Sequence, residues 1–202
     1  MPIQEEIVRS IFAAWRIARF DAGAMRFFNL SLEGFWRSFI AAGLILPFYL
    51  VLVGLEFSHV AEQIESQLQP SQKAMLQVTL FGYASIELLN FAVRWAAWPL
   101  LMVPVTRFFK LDANYVPYII AANWGAVLRF AVMFPIFLLF FFEVLPQQAI
   151  GALLVIAYIS VLYYEYLLVR AGLQCDWITA AGVVALKFIV DLGLNHSFNQ
   201  LH

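Results

Sequence analysis

The sequence predicts an all-α, polytopic transmembrane bundle of about five spans, preceded by an amphipathic helix at the membrane surface. Three observations carry this. Of 202 residues, 63% are hydrophobic and only 12% charged, about half the charged share of a soluble domain. The apolar residues fall in runs of about 20, the length that crosses a hydrocarbon core as a helix. Lys and Arg gather at alternate ends of those runs, as cytoplasmic loops require. The net charge of −1 sets up no global field for nucleic acid or an anionic substrate, so where the charges sit matters more than their sum.

The chain divides into a cytoplasmic amphipathic segment, residues 1–34, and a transmembrane helical domain, residues 35–202. In the first, "EEIVRSIFAAWRIARFDAGAMRFF" carries Ile7, Val8, Ile11, Phe12 and Trp15 at the spacing of one helix face, with Arg9, Arg16 and Arg19 available to the other. Such a helix can lie in the interface plane with its arginines at anionic phospholipids, or pack on the ends of the bundle. Three arginines are too few to prefer a nucleic-acid or calmodulin-like partner. No short apolar stretch with a small-residue cleavage pattern precedes the first span, so a cleaved signal peptide is not expected.

The first span is expected over Phe35–Leu55, with Ser31 as N-cap, Glu33 in the first turn and a kink at Pro47. The second covers Met75–Leu101, with Pro99 and Pro104 marking its exit. The third covers Val116–Phe142 and the fourth Ala149–Val169. The fifth, Trp177–Leu194, is shorter and carries Lys187 and Asp191. Arg9, Arg16, Arg19, Arg26 and Arg37 precede or open the first span, Arg107 and Lys110 follow the second, and Arg170 follows the fourth. The opposite loops, "EFSHVAEQIESQLQPSQK" and "EVLPQQ", are poor in Lys and Arg. This places the N-terminus in the cytoplasm and, with an odd number of spans, the C-terminus outside. Trp36, Trp95, Trp98, Tyr115, Tyr118, Tyr163, Tyr164, Tyr166 and Trp177 fall toward the same cytoplasmic ends, where amphipathic rings prefer the headgroup level.

Charges within the spans are the best handle on function, because each costs roughly 2.5–3.5 kcal/mol on insertion scales unless paired or wetted. In "SIELLNFAVRW", Glu87, Asn90 and Arg94 lie at i, i+3 and i+7 and share one helix face. Glu87 and Arg94 are about 10 Å apart along the axis, too far for an easy direct hydrogen bond. Partners are therefore sought on neighbouring spans at equal depth: Arg129 for Glu87, and Asn123 or Glu165 for Arg94. Lys187 and Asp191 are an i, i+4 pair that can satisfy each other.

Two functions fit such charges: buried pairs that fix helix register or are completed by a partner, and a polar path through Glu87 for ions or a substrate. Coupled transport usually brings broken helices and internal repeats. No half-to-half repeat is visible, and the partner-binding reading leads.

An enzyme is not expected, nor any cofactor or metal. His59, His196 and His202 are expected in a loop and the tail, so no span offers a histidine for haem or a metal pair. Motifs of the HExxH, GxSxG and Walker types are absent. Ser85 and Ser160 have no His or Lys near them in sequence and read as packing hydroxyls. The single Cys175 excludes an internal disulfide. Small residues at Ala41, Ala42 and Gly43, and at Ala180, Ala181, Gly182 and Ala185, would let helices approach closely.

The pattern "FNLSLEGFWRSFIAAGLILPFYL" followed by "YVPYIIAANWGAVLRFAVMFPIFLL" resembles a group of bacterial inner-membrane proteins and, more distantly, the five-span Yip1 family. The resemblance implies a cytoplasmic N-terminus, five closely spaced spans, a bacterial inner-membrane location and a non-enzymatic, interaction-type role. The DLYGP-type motif of the eukaryotic members is missing, so no trafficking role carries over. The resulting expectation is an accessory or scaffolding protein that binds other integral membrane proteins, itself or phospholipids, with a small channel or transporter acting through Glu87 as the alternative.

Overall fold

The computed structural model describes residues 2–21, 23–65 and 73–199. His202 and positions 66–72 of the loop after the first span lie outside them. The helices are α1 (Ile3–Ala18), α2 (Leu32–Ser38), α3 (Ile40–Glu65), α4 (Lys73–Phe108), α5 (Tyr115–Phe141), α6 (Gln147–Leu173) and α7 (Trp177–Asn199), with no strand among the described residues. Five stretches are long and apolar enough to cross a membrane: Leu32–Glu62, Phe81–Phe108, Asp112–Phe141, Gln147–Leu173 and Trp177–Phe198. The segment marked by Lys187 and Asp191 is one of them.

Local chemistry explains most of the helix ends. Ser31 caps α2, its Oγ accepting from the Gly34 N–H at 3.1 Å. That moves the start of the first span back to Leu32. Phe39 interrupts the helix for one residue before α3, which includes Pro47 and continues well past Leu55. His59 therefore stands on a helix and not in a loop, because "EFSHVAEQIE" holds no Gly or Pro and is rich in helix formers. His196, expected in the tail, stands on α7.

Pro99 and Pro104 do not end the second span either. Both lie inside α4, which runs on to Phe108; membrane helices tolerate proline where neighbours satisfy the freed carbonyls. α6 closes at Gln174 in a left-handed conformation (φ 52°). Asp176 opens α7 by accepting from the Ile178 and Thr179 N–H groups at 3.1 and 3.3 Å.

α5 is the central helix, and its contact with α6 is the most extensive in the molecule. Two glycines make that approach. A Cβ on Gly172 would lie 2.7 Å from the Tyr118 Cα, and one on Gly125 would lie 2.5 Å from a Leu168 methyl. Without a hydrophobic force between helices in lipid, such close van der Waals packing drives association. The remaining contacts close a ring, α5 to α3 to α4 to α7 to α6 and back to α5.

α1 lies outside that ring, against α5 and α6. The face it buries is not the expected one. Ser10, Ala13, Ala14 and Ile17 pack inward, while Val8, Phe12 and Trp15 point outward at 69%, 49% and 52% exposure. Small residues let the helix sit close to its neighbours, and Tyr164 fastens it by donating to the Ala14 carbonyl at 3.0 Å. Glu6 is also buried, accepting from Arg37 at 2.8 Å and from Asn29 at 3.2 Å. This first-turn acid is thus the anchor that ties α1 to the start of the first span.

Candidate functional site: a charged cavity within the helix ring

The ring encloses a cavity of about 380 Å³, within the usual size range of small-molecule sites. All five of its helices contribute: Tyr49 from α3, Arg94 and Trp98 from α4, Asn123 and Arg129 from α5, Glu165 from α6, Lys187 and Asp191 from α7. Three cationic side chains and two carboxylates line it, among aromatic rings. The expected intramembrane polar residues other than Glu87 and Asn90 all reach its wall.

The stripe on α4 is satisfied by a relay. Asn90 donates to Glu87 at 3.4 Å and accepts from Arg94 Nε at 2.8 Å, bridging the gap that separates the two charges. The Tyr49 hydroxyl donates to the same Glu87 carboxylate. Arg94 reaches across to α7, donating to the Asn195 side chain and standing 3.8 Å from Asp191. Asp191 in turn accepts from Lys187 at 3.0 Å, and this pair within α7 is as expected from its spacing. The Lys187 ammonium also sits 5.2 Å above the Trp98 ring and 3.9 Å from Glu165.

The inter-helix partners differ from those expected. Arg129 pairs with Glu165, not Glu87. Asn123 donates to Ser38 at 2.8 Å rather than meeting Arg94. Trp98 donates to the Tyr118 hydroxyl at 2.9 Å, and counting along both antiparallel helices from that bond brings Glu87 and Arg129 to a similar level. On that side the cavity lies between the two helices, lined by Arg94 of α4 and Arg129 of α5. Arg129 turns to α6, its closest neighbour, where Glu165 is 4% exposed.

Tyr49, Ser38 and Asn195 belong to this network and carried no charge to single them out. A tyrosine at mid-span, away from the headgroup level, was the available sign for Tyr49.

The surface arginines have intramolecular partners in part. Arg9 donates to the Arg26 carbonyl at 3.2 Å. Arg16 pairs with Asp21 and lies 4.5 Å above the Phe27 ring, and Arg19 is exposed. The Asp21 carboxyl is held below the ordinary carboxylate range, first by the Gly23 N–H at 2.8 Å and then by Arg16. Burial pushes the Cys175 thiol up. No three His, Cys, Asp or Glu side chains come together as a metal site among the described residues.

Chemically, the cavity offers fixed positive groups for an anion, carboxylates to balance them and aromatic faces for an apolar body. The chain matches no family model, and neither a curated protein nor a solved structure is significantly similar to it.

Proposed function

We propose that the protein is a small membrane carrier or channel whose polar route runs through the ring cavity and past Glu87. One observation carries this reading: five spans close around a charged cavity whose polar side chains form a nearly continuous relay, from Glu165 and Lys187 through Asp191, Arg94 and Asn90 to Glu87 and Tyr49. Ionisable groups held at bilayer depth line substrate and ion pathways by preference. Most of these charges have an ion-pair or hydrogen-bond partner on a neighbouring helix, which supports a route internal to the bundle. The basic first segment and loop ends support an N-terminus in the cytoplasm, and the resemblance to bacterial inner-membrane proteins implies that membrane. Val8, Phe12 and Trp15 would then meet lipid at that surface.

Reconstituted into liposomes, the protein should pass protons or small anions down an imposed gradient faster than protein-free vesicles. Glu87→Gln and Arg94→Gln should slow that flux at least tenfold. Rates equal to those of empty vesicles would remove the carrier reading, and flux untouched by both substitutions would remove the route.

The accessory reading has its own support. Ala181, Gly182 and Ala185 face outward on α7, with nothing within 4 Å of a Cβ on Gly182, so another membrane helix could approach closely there. A partner protein or second copy retained at fixed stoichiometry in mild detergent, and lost in Gly182→Leu, would favour it. In the Yip1-like resemblance, too, architecture and interaction carry over and no catalytic residue does.

A further inference from the structure

A second hollow lies on the outside of the ring. It is a groove of about 410 Å³ between α5 and α6, running from Trp15 and Ala18 of α1 down to Val132 and Ser160. Its walls are apolar, and Val132, Ser160 and Tyr163 are exposed on helices that span the membrane, so the groove opens to lipid. Arg129 and Val161 line both this groove and the ring cavity. Those two side chains therefore stand between the bilayer and the charged interior.

From this continuity we infer that the cavity is loaded sideways from the membrane, and that its ligand is a single-chain anionic amphiphile dissolved in the bilayer. The inference rests on the proposed role of the cavity as a binding site and specifies what it binds. The mostly apolar groove takes a hydrocarbon chain, and its polar groups are the Trp15 indole, the hydroxyls of Ser160, Tyr163 and Tyr164 and the rim of Arg129. Arg94, Arg129 and Lys187 line the cavity with Glu165 and Asp191, and Glu87 answers Arg94 through Asn90, so the cation left to face a negative head from the groove is Arg129. Arg129 is positioned to meet that head first. Its guanidinium is shared between Glu165 and the Ala122 carbonyl, the latter at a long 3.5 Å, a contact an incoming carboxylate can replace with a charge-assisted one. A water-soluble anion of the same head chemistry gains nothing from the groove.

Radiolabelled dodecanoate binding to the protein in phosphatidylcholine nanodiscs, with empty nanodiscs subtracted, tests this. The expected result is one saturable site, displaced by unlabelled dodecanoate and displaced neither by millimolar acetate nor by methyl dodecanoate. Ala131→Phe, which fills the groove, should weaken binding at least tenfold. The neutral pair Arg129→Gln with Glu165→Gln should do the same while leaving the thermal melt near that of the parent, and Gly182→Ala should bind normally. Acetate displacing as well as dodecanoate, with Ala131→Phe folded and binding normally, would overturn lateral loading and leave the cavity a site filled from water. Absent dodecanoate binding in a protein that still passes protons or anions would overturn the amphiphile alone. Absent binding and absent flux together would overturn both readings.

Discussion

The two sides of the bundle solve the same problem in opposite ways. Where α1, α5 and α6 meet, contact is made by glycine, alanine and the rings of Tyr118 and Trp124, and the buried polar side chains on these helices are Glu6, Ser10, Asn123 and, at the edge toward the cavity, Glu165. Where α3, α4 and α7 complete the ring, the helices stand apart and the space between them carries charges linked by hydrogen bonds. Close packing makes the first side specific in lipid, since apolar burial alone does not discriminate there. On the second side the polar partners themselves set which helix neighbours which, because each unpaired charge would be expensive. The first side is built to hold, and the second leaves room for a ligand.

The seam between the two sides is Arg129–Glu165, and breaking it should have the largest effect. Arg129→Leu or Glu165→Leu alone leaves a lone buried charge, a loss on the order of 3–5 kcal/mol, while the double change recovers much of it. Thermal melts of the purified protein would show this as strong non-additivity. Arg129→Leu combined with Glu87→Leu should instead give nearly additive losses, since those two are level but not in contact; coupling between them and none with Glu165 would reverse the assignment.

Next comes the packed side itself. Gly172→Ala sets a Cβ against the Tyr118 backbone, which cannot turn aside, and should cost about 1–3 kcal/mol as other overpacked contacts do. Gly125→Ala meets the Leu168 side chain, both methyls and Cγ, rather than backbone, and should cost less. Gly182→Ala enters open space and should leave the melt unchanged. Equal losses at all three would mean that close approach on the α5–α6 side is not what holds it.

The same contrast governs what the sequence makes legible. The spans, the Ser31 cap and the Lys187–Asp191 pair all depend on local chemistry or on counting along one helix, and a periodicity of 3.6 exposes them. Which neighbour Arg129 chooses does not. Period fixes a residue's face and depth, but ring order and the distance between helices are set by all contacts at once, and the close approach of α6 to α5 rests on two glycines far apart in sequence, Gly125 and Gly172. Glu6 was hidden for a related reason: its partner Arg37 lies 31 positions away. The outward turn of Val8, Phe12 and Trp15 goes with the small residues, Ser10, Ala13 and Ala14, that α1 sets against its neighbours.

On the cavity side a smaller substitution tests the relay. Tyr49→Phe removes one hydrogen bond to Glu87 while Asn90 still donates to that carboxylate, so the stability loss should stay near 0.5–1.5 kcal/mol. Flux should nonetheless fall if the relay is the route. A variant with full flux and a lowered melt would reduce Tyr49 to a packing contact.

The smallest effects belong to the surface carboxylates, which lie on neither side. Asp176 is held below the ordinary carboxylate value, first by the Thr179 hydroxyl and then by the N–H groups that open α7, and Asp21 is lowered chiefly by the Gly23 N–H. A depressed pKa in the folded state means that each contributes its full stabilisation above the unfolded value of about 3.9 and loses it as pH falls through the folded one. The melt should therefore be flat near neutrality and decline in acid. Asp176→Asn keeps a side-chain oxygen for the α7 cap, so it should hold the neutral melt while shallowing the acid decline, whereas Asp176→Ala should lower the melt slightly at every pH above that range. An acid limb identical in Asp176→Asn and the parent would show that the titrating groups lie elsewhere, and would direct attention back to the carboxylates in the ring.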